Sequence, residues 1–288
     1  HHITSIRNAP SREQRILAIY RTSRVDEKDY AETIKYLTDI MNNYTDIYER
    51  IAAASSLIEI GTKEALEPVK EALLFKGDGR LNAGIIEKVR KKYAHRFKQV
   101  LAQWCAELLN DKDILKKRSE SEIISGLGLY DSVNEDNTAI VDPTIYLQDS
   151  SERITLKMYA IMKTYPPDEI PMEFIKTRLE TNFKNKTISP REVKAVAEMF
   201  TSNKIPRDKF TFSMDKEIAM WGLNHQDFEI REVTIMSMLS CWPNMDYSTQ
   251  KEIEAKLMDI AENDPMYIEG EYTVRKRAKQ ALELLKKP

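Results

Sequence analysis

The segment Thr45–Leu74 constrains the fold more than any other part of the sequence. Asp46 is followed by apolar residues at helical spacing, and this run ends at Gly61, where a glycine favours the left-handed turn that closes a helix. Thr62 can then cap a second helix, whose apolar stripe starts at Ala65. Two short helices joined by a tight turn cannot bury both stripes by themselves. The pattern therefore predicts that further helix pairs stack against this one.

Residues Asp46–Leu57, continuing through Gly61 to Val69, resemble a HEAT repeat of the bacterial lyase-like type. In that type an aspartate and an arginine open an alanine-rich helix, an Ile-Gly pair closes it, and a second helix follows. The segment Asp227–Val233 is the next best copy. The resemblance implies an all-α fold, a right-handed α-solenoid of about seven HEAT-like antiparallel helix pairs.

A basic residue recurs along the chain at similar intervals, at Arg50, Arg96, Arg153, Lys194, Arg231 and Arg275. The intervals are 46, 57, 41, 37 and 44 residues, whereas HEAT repeats run ~40–47 residues. The long interval contains Gly126–Asp149, which lacks helical periodicity and is rich in Asn, Asp, Ser and Thr. We therefore predict one continuous solenoid, formed by repeats at 6–125 and 150–288 and interrupted by an inserted loop at 126–149.

The first predicted helix pair lies at Ser11–Asn42. Ser11 follows a proline and can cap a helix that extends through Arg21, and Asp26 can cap a second helix that extends through Met41. His1–Ser5 is interpreted as the remnant of an expression tag and is left out of the predicted fold. Because a tag can replace a natural signal peptide, the compartment stays open between the cytoplasm and export.

Charge and hydropathy limit the classes of function that are expected for this chain. The chain has 44 basic and 46 acidic side chains, a net charge of −2. No global field draws it to nucleic acid or to a membrane surface, so such binding would need a local patch. No apolar run approaches about 18 residues, so no transmembrane segment is predicted.

The sequence lacks the metal-binding and catalytic residues of the enzymes that share this architecture. HEAT-repeat deoxyhypusine hydroxylases hold two irons with His-Glu pairs, but neither His95 nor His225 is followed by glutamate. Cys105 and Cys241 have no companions at zinc-ligand spacing. Phycobilin lyases share the repeat subtype, yet no feature of this chain distinguishes a chromophore pocket from a repeat core. We therefore predict a chain that is not an enzyme and uses no metal or cofactor.

The leading interpretation is a protein–protein interaction scaffold that binds a partner on its concave face and its inserted loop. Insertions in solenoids often lie on the binding face, so Tyr130, Asp131 and Tyr146 are candidate contacts. Trp221 and Trp242 flank the second-best repeat near its turns, in a methionine-rich region from 214 to 266. Tryptophan is enriched in binding hot spots, so both are further candidates.

The alternative interpretation is nucleic-acid binding, including a HEAT-like DNA glycosylase. The segment Arg80–Lys98 holds seven basic residues and one acidic residue. On one continuous helix, Lys88, Lys91 and Lys92 would face away from a buried apolar stripe formed by Ile85, Val89, Tyr93, Phe97 and Val100. Such a face can meet phosphates. The competing interpretation is a solvated helix face whose charges are balanced by acids on neighbouring helices.

Overall fold

The computed structural model describes residues 2–148, 151–206, 211, 213–268 and 270–285. Within these ranges the regular elements are helices, apart from a single β-bridge between Ile268 and Glu271. The predicted all-α class is confirmed. The chain divides into two compact units, which comprise residues 1–142 and 143–288. His1 of the predicted tag and Asp149 at the end of the predicted loop lie outside the described residues.

Unit 1 is a stack in which helices two apart along the chain touch one another. Helix α2 packs on α4, α4 packs on α6, and α3 packs on α5, while α9 packs on α5 and α7. The helices are α1 (His2–Arg7), α2 (Arg12–Arg21), α3 (Tyr30–Asn43), α4 (Ile47–Ile60), α5 (Lys63–Phe75), α6 (Gly79–Tyr93), α7 (Phe97–Leu109), α8 (Ile114–Lys117) and α9 (Glu120–Val133).

Unit 2 repeats this kind of packing with α11, α13, α15 and α17. Each of these four helices contacts the next, and the intervening helices α14 and α16 also pack together. The helices are α10 (Pro143–Leu147), α11 (Glu152–Met162), α12 (Met172–Lys184), α13 (Pro190–Ser202), α14 (Lys216–Leu223), α15 (Phe228–Cys241), α16 (Tyr247–Asn263) and α17 (Thr273–Leu285).

Local capping explains why several helices begin and end where the sequence predicts. The side chains of Ser11, Asp46 and Thr62 each accept a hydrogen bond from a backbone N–H in the first turn of α2, α4 and α5. Gly61 closes α4 with a φ of 72°, in the left-handed region. One predicted start is wrong, because Asp26 opens only a short 3-10 turn and α3 begins at Tyr30.

Buried or half-buried arginines connect neighbouring helices in both units. Arg50 of α4 donates to the carbonyl of Met41 in α3 at 2.7 Å and pairs with Asp78, the cap of α6. Arg231 of α15 donates to the carbonyls of His225 and Gln226 after α14, and its Nε lies 2.6 Å from Asp264 after α16. We call this arrangement, one guanidinium bound to a carbonyl at a helix end and to a carboxylate of another helix, an arginine clasp.

A third arginine clasp lies at the start of unit 2. Arg178 of α12 donates to the carbonyl of Leu147 at the end of α10, and its Nε lies 2.7 Å from Glu192 in the first turn of α13. The hydroxyl of Tyr159 donates to the same carboxylate at 3.1 Å. Burial raises the pKa of Tyr159 well above its ordinary value, so the phenol stays protonated and keeps donating.

The predicted inserted loop is shorter than expected. Helix α9 runs through Gly126 and Gly128 to Val133, and α10 begins at Pro143, so the irregular segment spans only 134–142. Gly126, the first residue of the predicted loop, lies within α9, where an added Cβ would approach Phe75 at 3.1 Å and Leu109 at 3.2 Å. This glycine therefore allows close helix packing.

The short loop at 134–142 is held by side-chain hydrogen bonds. Tyr130 donates its hydroxyl to the carbonyl of Ala139 at 2.6 Å, and Asn134 donates to the same carbonyl at 2.9 Å. Asn110 donates to the carbonyl of Ile140 and accepts from the backbone N–H of Asp142. These bonds pair backbone groups that a free loop would leave to water.

The helices also differ from membrane spans. In the described ranges, no helix combines the length and the apolar character needed to cross a membrane.

Gly222→Ala is expected to destabilise the protein by about 2 kcal/mol, because overpacking a helix contact forces its neighbours apart. A Cβ at Gly222 would overlap Oγ1 of Thr234 in α15 and would lie 2.9 Å from Cγ2 of the same residue. The control is Gly128→Ala, where nothing lies within 4 Å of the new Cβ, and which should stabilise α9 by about 0.5–1 kcal/mol. Urea unfolding followed by circular dichroism measures both. Equal stability of the two variants would contradict the close approach of α14 and α15.

Arg231→Met is expected to cost about 3–5 kcal/mol, because it leaves the buried Asp264 carboxylate without its partner. The side chains of this pair are 9% and 3% exposed. The matched control, Lys216→Met, breaks an ion pair with Glu252 whose side chains are 46% and 48% exposed, and should cost no more than about 1 kcal/mol. Urea unfolding compares the two, and a similar small loss in both would show that the arginine clasp does not stabilise unit 2.

Candidate partner-binding groove

An open groove of about 840 Å³ runs across one side of unit 2. Its walls come from three helices, α13, α15 and α17, of which α15 contacts both of the others, and Lys163, the residue after α11, adds to the lining. The turn between α16 and α17 adds Ile268 and Glu271 at the rim. The groove is therefore built from one face of several helices and not from a single loop.

Amphipathic helices explain why charged side chains face this groove. In α13, Val196 and Met199 are buried, and Lys194 and Glu198 lie one turn apart on the opposite, exposed side. In α17, the residues Val274, Ala278 and Ala281 are buried and leave a polar face that lines the groove. Because the apolar stripes are used for packing, the polar faces of neighbouring helices form the walls.

Ion pairs hold the charged walls in place. Lys163 at the end of α11 pairs with Glu198 of α13 at 2.5 Å. Arg277 of α17 pairs with Glu232 of α15 at 3.0 Å, and Lys276 pairs with Glu271 at the rim at 2.8 Å. These contacts orient side chains of both signs, so the groove is charged without favouring one sign.

A small apolar cleft opens between α13 and α15. It measures about 30 Å³ and is lined by Val193, Ala197, Phe200, Val233 and Met236, with Glu229 and Glu232 at its mouth. Phe200 and Val193 are buried, whereas Met236 is half-buried. Methionine rotates readily and adapts to a partner, so this cleft can widen around one inserted side chain.

The groove lining is polar and charged. It offers ammonium, guanidinium, carboxylate, hydroxyl and amide groups. Among the described residues there is no group of three or more His, Cys, Asp or Glu side chains placed to hold a metal ion. Elsewhere in the chain, burial raises the pKa of the Cys105 thiol to about 12, so this cysteine stays protonated at neutral pH.

Two of the residues predicted as partner contacts cannot serve as such, because they are buried. Tyr130 is 1% exposed and Tyr146 is 0% exposed. Tyr130 holds the loop through its hydroxyl, and Tyr146 packs within the short helix α10. Both were selected because the region was predicted to be an exposed loop. Asp131, the third predicted residue there, is exposed.

Trp221 and Trp242 are half-buried and lie outside the groove lining. The ring of Trp221 meets Phe183 edge-on at 5.3 Å and also contacts His225 at 5.1 Å. Trp242 follows α15, and its carbonyl accepts a hydrogen bond from Gln250. Both rings keep an exposed part, but the structure does not bring them together with the groove.

The basic segment Arg80–Lys98 is not one helix. Helix α6 ends at Tyr93, Ala94 has a φ of 47°, and α7 begins at Phe97. The predicted apolar stripe therefore breaks. Its first two residues are buried, and its last three, Tyr93, Phe97 and Val100, are only half-buried.

Two of the three lysines singled out in this segment have partners in α4. Lys88 pairs with Glu59 and holds the pKa of that carboxyl below its ordinary value. Lys92 donates to the carbonyl of Ile58 at 2.5 Å, at the C-terminal end of α4. Lys91 is 73% exposed and lies 3.4 Å from Glu87. Neighbouring carboxylates and backbone carbonyls therefore offset much of the positive charge of this helix face.

The groove residues of α15 and α17 were not singled out by the sequence analysis. The sequence contains a pattern that indicates polar helix faces here. Charged residues recur three or four positions apart in α13 and α15, as in Lys194 and Glu198 or Glu229 and Glu232. The packing of α13, α15 and α17 side by side brings these charged residues together. The spacing of charges along the sequence does not reveal which helices pack side by side.

Comparison of the sequence with family models and with curated proteins gives no match.

Lys92→Met is expected to destabilise the protein by about 1–2 kcal/mol, because it removes a charged donor from carbonyls at the end of α4. Lys91→Met is the matched control in the next position and should change stability by less than about 0.5 kcal/mol. Thermal unfolding distinguishes the two. Equal effects would show that Lys92 has no structural role. Lys92 would then again be a candidate for binding a ligand.

Proposed function

We propose that the chain is a non-catalytic protein–protein interaction scaffold, an α-solenoid of HEAT-like helix pairs that binds a partner protein in the groove of unit 2. The observation that carries this proposal is the groove itself, an open surface formed by one face of each of three helices, α13, α15 and α17. Its width and mixed charge suit the side chains of another protein.

The contacts of two arginines support the repeat architecture. Arg50 follows the cap Asp46 by four residues, and Arg231 follows the cap Asp227 by four residues. Each forms an arginine clasp with a carbonyl at the end of the preceding helix and with an acid near a neighbouring helix end. An arginine four residues after the cap, with the same kinds of contact, is what a repeated structural unit predicts. We therefore propose the right-handed HEAT-like arrangement for the helix pairs.

The alternative is nucleic-acid binding through the segment 80–98, and it has less support. A protein surface binds phosphate groups most strongly when several unpaired cations act together. Lys88 and Lys92 already contact Glu59 and the end of α4. The other exposed cations of this segment are Arg80, Arg90, Lys91 and Arg96, and two of them, Arg90 and Lys91, lie beside Glu87. The glycosylase form of this alternative would further need a base-binding pocket, and the segment's aromatics, Tyr93 and Phe97, are half-buried beside Lys92 and Arg90.

The proposal is tested by comparing what the protein and a groove variant capture from the source organism. The variant Lys194→Glu/Glu229→Lys reverses two groove charges and keeps the net charge. The control Lys112→Glu/Glu27→Lys reverses two exposed charges in unit 1. Quantitative mass spectrometry should find proteins that the unmodified chain and the control retain and that the groove variant retains about tenfold less.

Two outcomes would overturn the proposal. One is an identical set of proteins for all three chains. The other is steep, salt-sensitive retardation of a DNA or RNA duplex that Lys91→Glu abolishes, which would establish the nucleic-acid alternative instead.

A further inference from the structure

Arg275 forms only half of an arginine clasp. It is the third residue of α17, and its Nε donates to the carbonyl of Asp264, which follows α16, at 2.6 Å. In the clasps of Arg50 and Arg231, the guanidinium also binds a carboxylate. Among the described residues no carboxylate pairs with Arg275, whose guanidinium lies 3.9 Å from the ring centroid of Tyr272. Its remaining N–H groups can therefore bind a carboxylate of another molecule.

Helix α17 carries one face that lies outside its buried stripe and outside the groove lining. We call this face, with the adjacent rings of two tyrosines, the tail face; it is formed by Tyr267, Tyr272, Arg275, Lys279, Leu282 and Glu283. The two tyrosine rings lie 4.8 Å apart, and their residues are 58% and 43% exposed. Lys279 and Glu283 are exposed and have no ion-pair partner among the residues that the structure describes. The tail face therefore combines exposed aromatic rings with cations near the start of α17 and an acid near its end.

Helix α2 carries a face of the same kind, with its charges in the opposite order. We call it the head face; it is formed by Glu13, Leu17, Tyr20 and Arg21 of α2 and by Arg24 in the turn that follows. These residues lie on the side away from the buried Ile19, whose carbonyl accepts a hydrogen bond from Ser56 of α4. Leu17 is 55% exposed and Tyr20 is 43% exposed. The three charged residues are exposed and form no ion pair within the described ranges, so the head face begins with an unpaired acid and ends with two unpaired cations.

Helices two apart in the chain run in the same direction where their contacts define it, as in α4 and α6. Arg50 near the start of α4 pairs with Asp78, the cap of α6. Lys92 near the end of α6 donates to the carbonyl of Ile58 near the end of α4 at 2.5 Å. The starts of these two helices are therefore adjacent, and so are their ends. A helix of another copy that extends a stack in this way lies start to start with its neighbour.

The spacing of the charges agrees between the two faces. Glu13 and Arg21 are eight residues apart in α2, and Arg275 and Glu283 are eight residues apart in α17. Eight residues of α-helix rise ~12 Å, so two such helices that run in the same direction bring opposite charges together at both ends. In the opposite direction, acid would meet acid and cation would meet cation. The charges therefore favour the same relative direction that α4 and α6 adopt.

We propose that the chain associates head to tail with further copies of itself, through the tail face of one copy and the head face of the next. Glu13 completes the clasp of Arg275, as Glu192 in the first turn of α13 does for Arg178. The exposed apolar side chains of the two faces pack together between the charged ends. Because the two faces differ, every added copy leaves one face of each kind free, and the assembly can extend. The contact uses residues outside the groove lining, so it goes beyond the proposed function.

Sedimentation velocity of the full chain at low ionic strength, over about a hundredfold range of concentration, tests the self-association. The average mass should rise continuously above the 33.5 kDa of one chain, because each added copy presents a new free face. Leu17→Ser removes an exposed apolar side chain from the head face and should weaken the association about tenfold.

Charge reversal assigns the contact to the two faces. Arg21→Glu/Arg24→Glu and Glu283→Lys should each weaken the association about tenfold, because like charges then meet. An equal mixture of these two variants should associate as the unmodified chain does, because the tail face of either variant attracts the head face of the other. Misfolding of a variant would not produce this recovery. The control Lys112→Glu/Lys116→Glu changes the net charge as the first variant does and should associate normally.

Three results would overturn the inference. The first is a monomer at every concentration, the second is an association that stops at a symmetric dimer, and the third is a mixture that associates no better than its components. The groove variant Lys194→Glu/Glu229→Lys keeps both faces and should associate as the unmodified chain does. Self-association and protein capture can therefore fail independently, which distinguishes this inference from the scaffold proposal.

Discussion

The arginine clasp is the contact on which the helix arrangement depends most. A helix ends with carbonyl groups that have no partner within the helix, and a buried end needs donors from elsewhere. Arg50 and Arg178 supply such donors, and Arg231 binds two carbonyls of the turn after α14. The remaining N–H groups of each guanidinium bind a carboxylate at or near the end of another helix. One side chain thus satisfies a helix end and determines the position of the next helix. Apolar stripes alone would allow helices to slide along one another, whereas a directed pair of hydrogen bonds sets one register.

The groove is a consequence of this packing. When α13, α15 and α17 bury their apolar stripes against the core of unit 2, their polar faces remain on the same side. Ion pairs between adjacent helices, such as Glu232 with Arg277, then hold these side chains in fixed positions before any ligand arrives. Side chains that are already ordered lose less entropy on binding. The contacts that stabilise the stack therefore also prepare its surface for recognition.

Features set by local sequence were predictable, and features set by packing between helices were not. The capping residues Asp46 and Thr62 and the closing Gly61 gave correct helix ends because their hydrogen bonds lie within one turn. Gly126 was misinterpreted because its role is to admit Phe75 and Leu109, which are distant in sequence. The lysines at 88 and 92 were placed on an open face because their partners belong to α4, and the groove was missed because its walls come from three separate helices.

Positive and negative charges nearly cancel over the whole sequence, and they also pair at individual helix contacts. The net charge of −2 reflects acids and bases that largely neutralise one another across helix contacts, as in Lys88 with Glu59 or Lys163 with Glu198. Such a surface gains little long-range attraction for any partner, because charges of both signs cancel beyond about one Debye length. At contact distance the order of the charges matters, because a mismatched partner places like charges together and leaves polar groups unpaired. A groove lined by charges of both signs therefore favours selectivity over affinity, and its partners should be distinguished by the sequence order of their charges more than by their net charge.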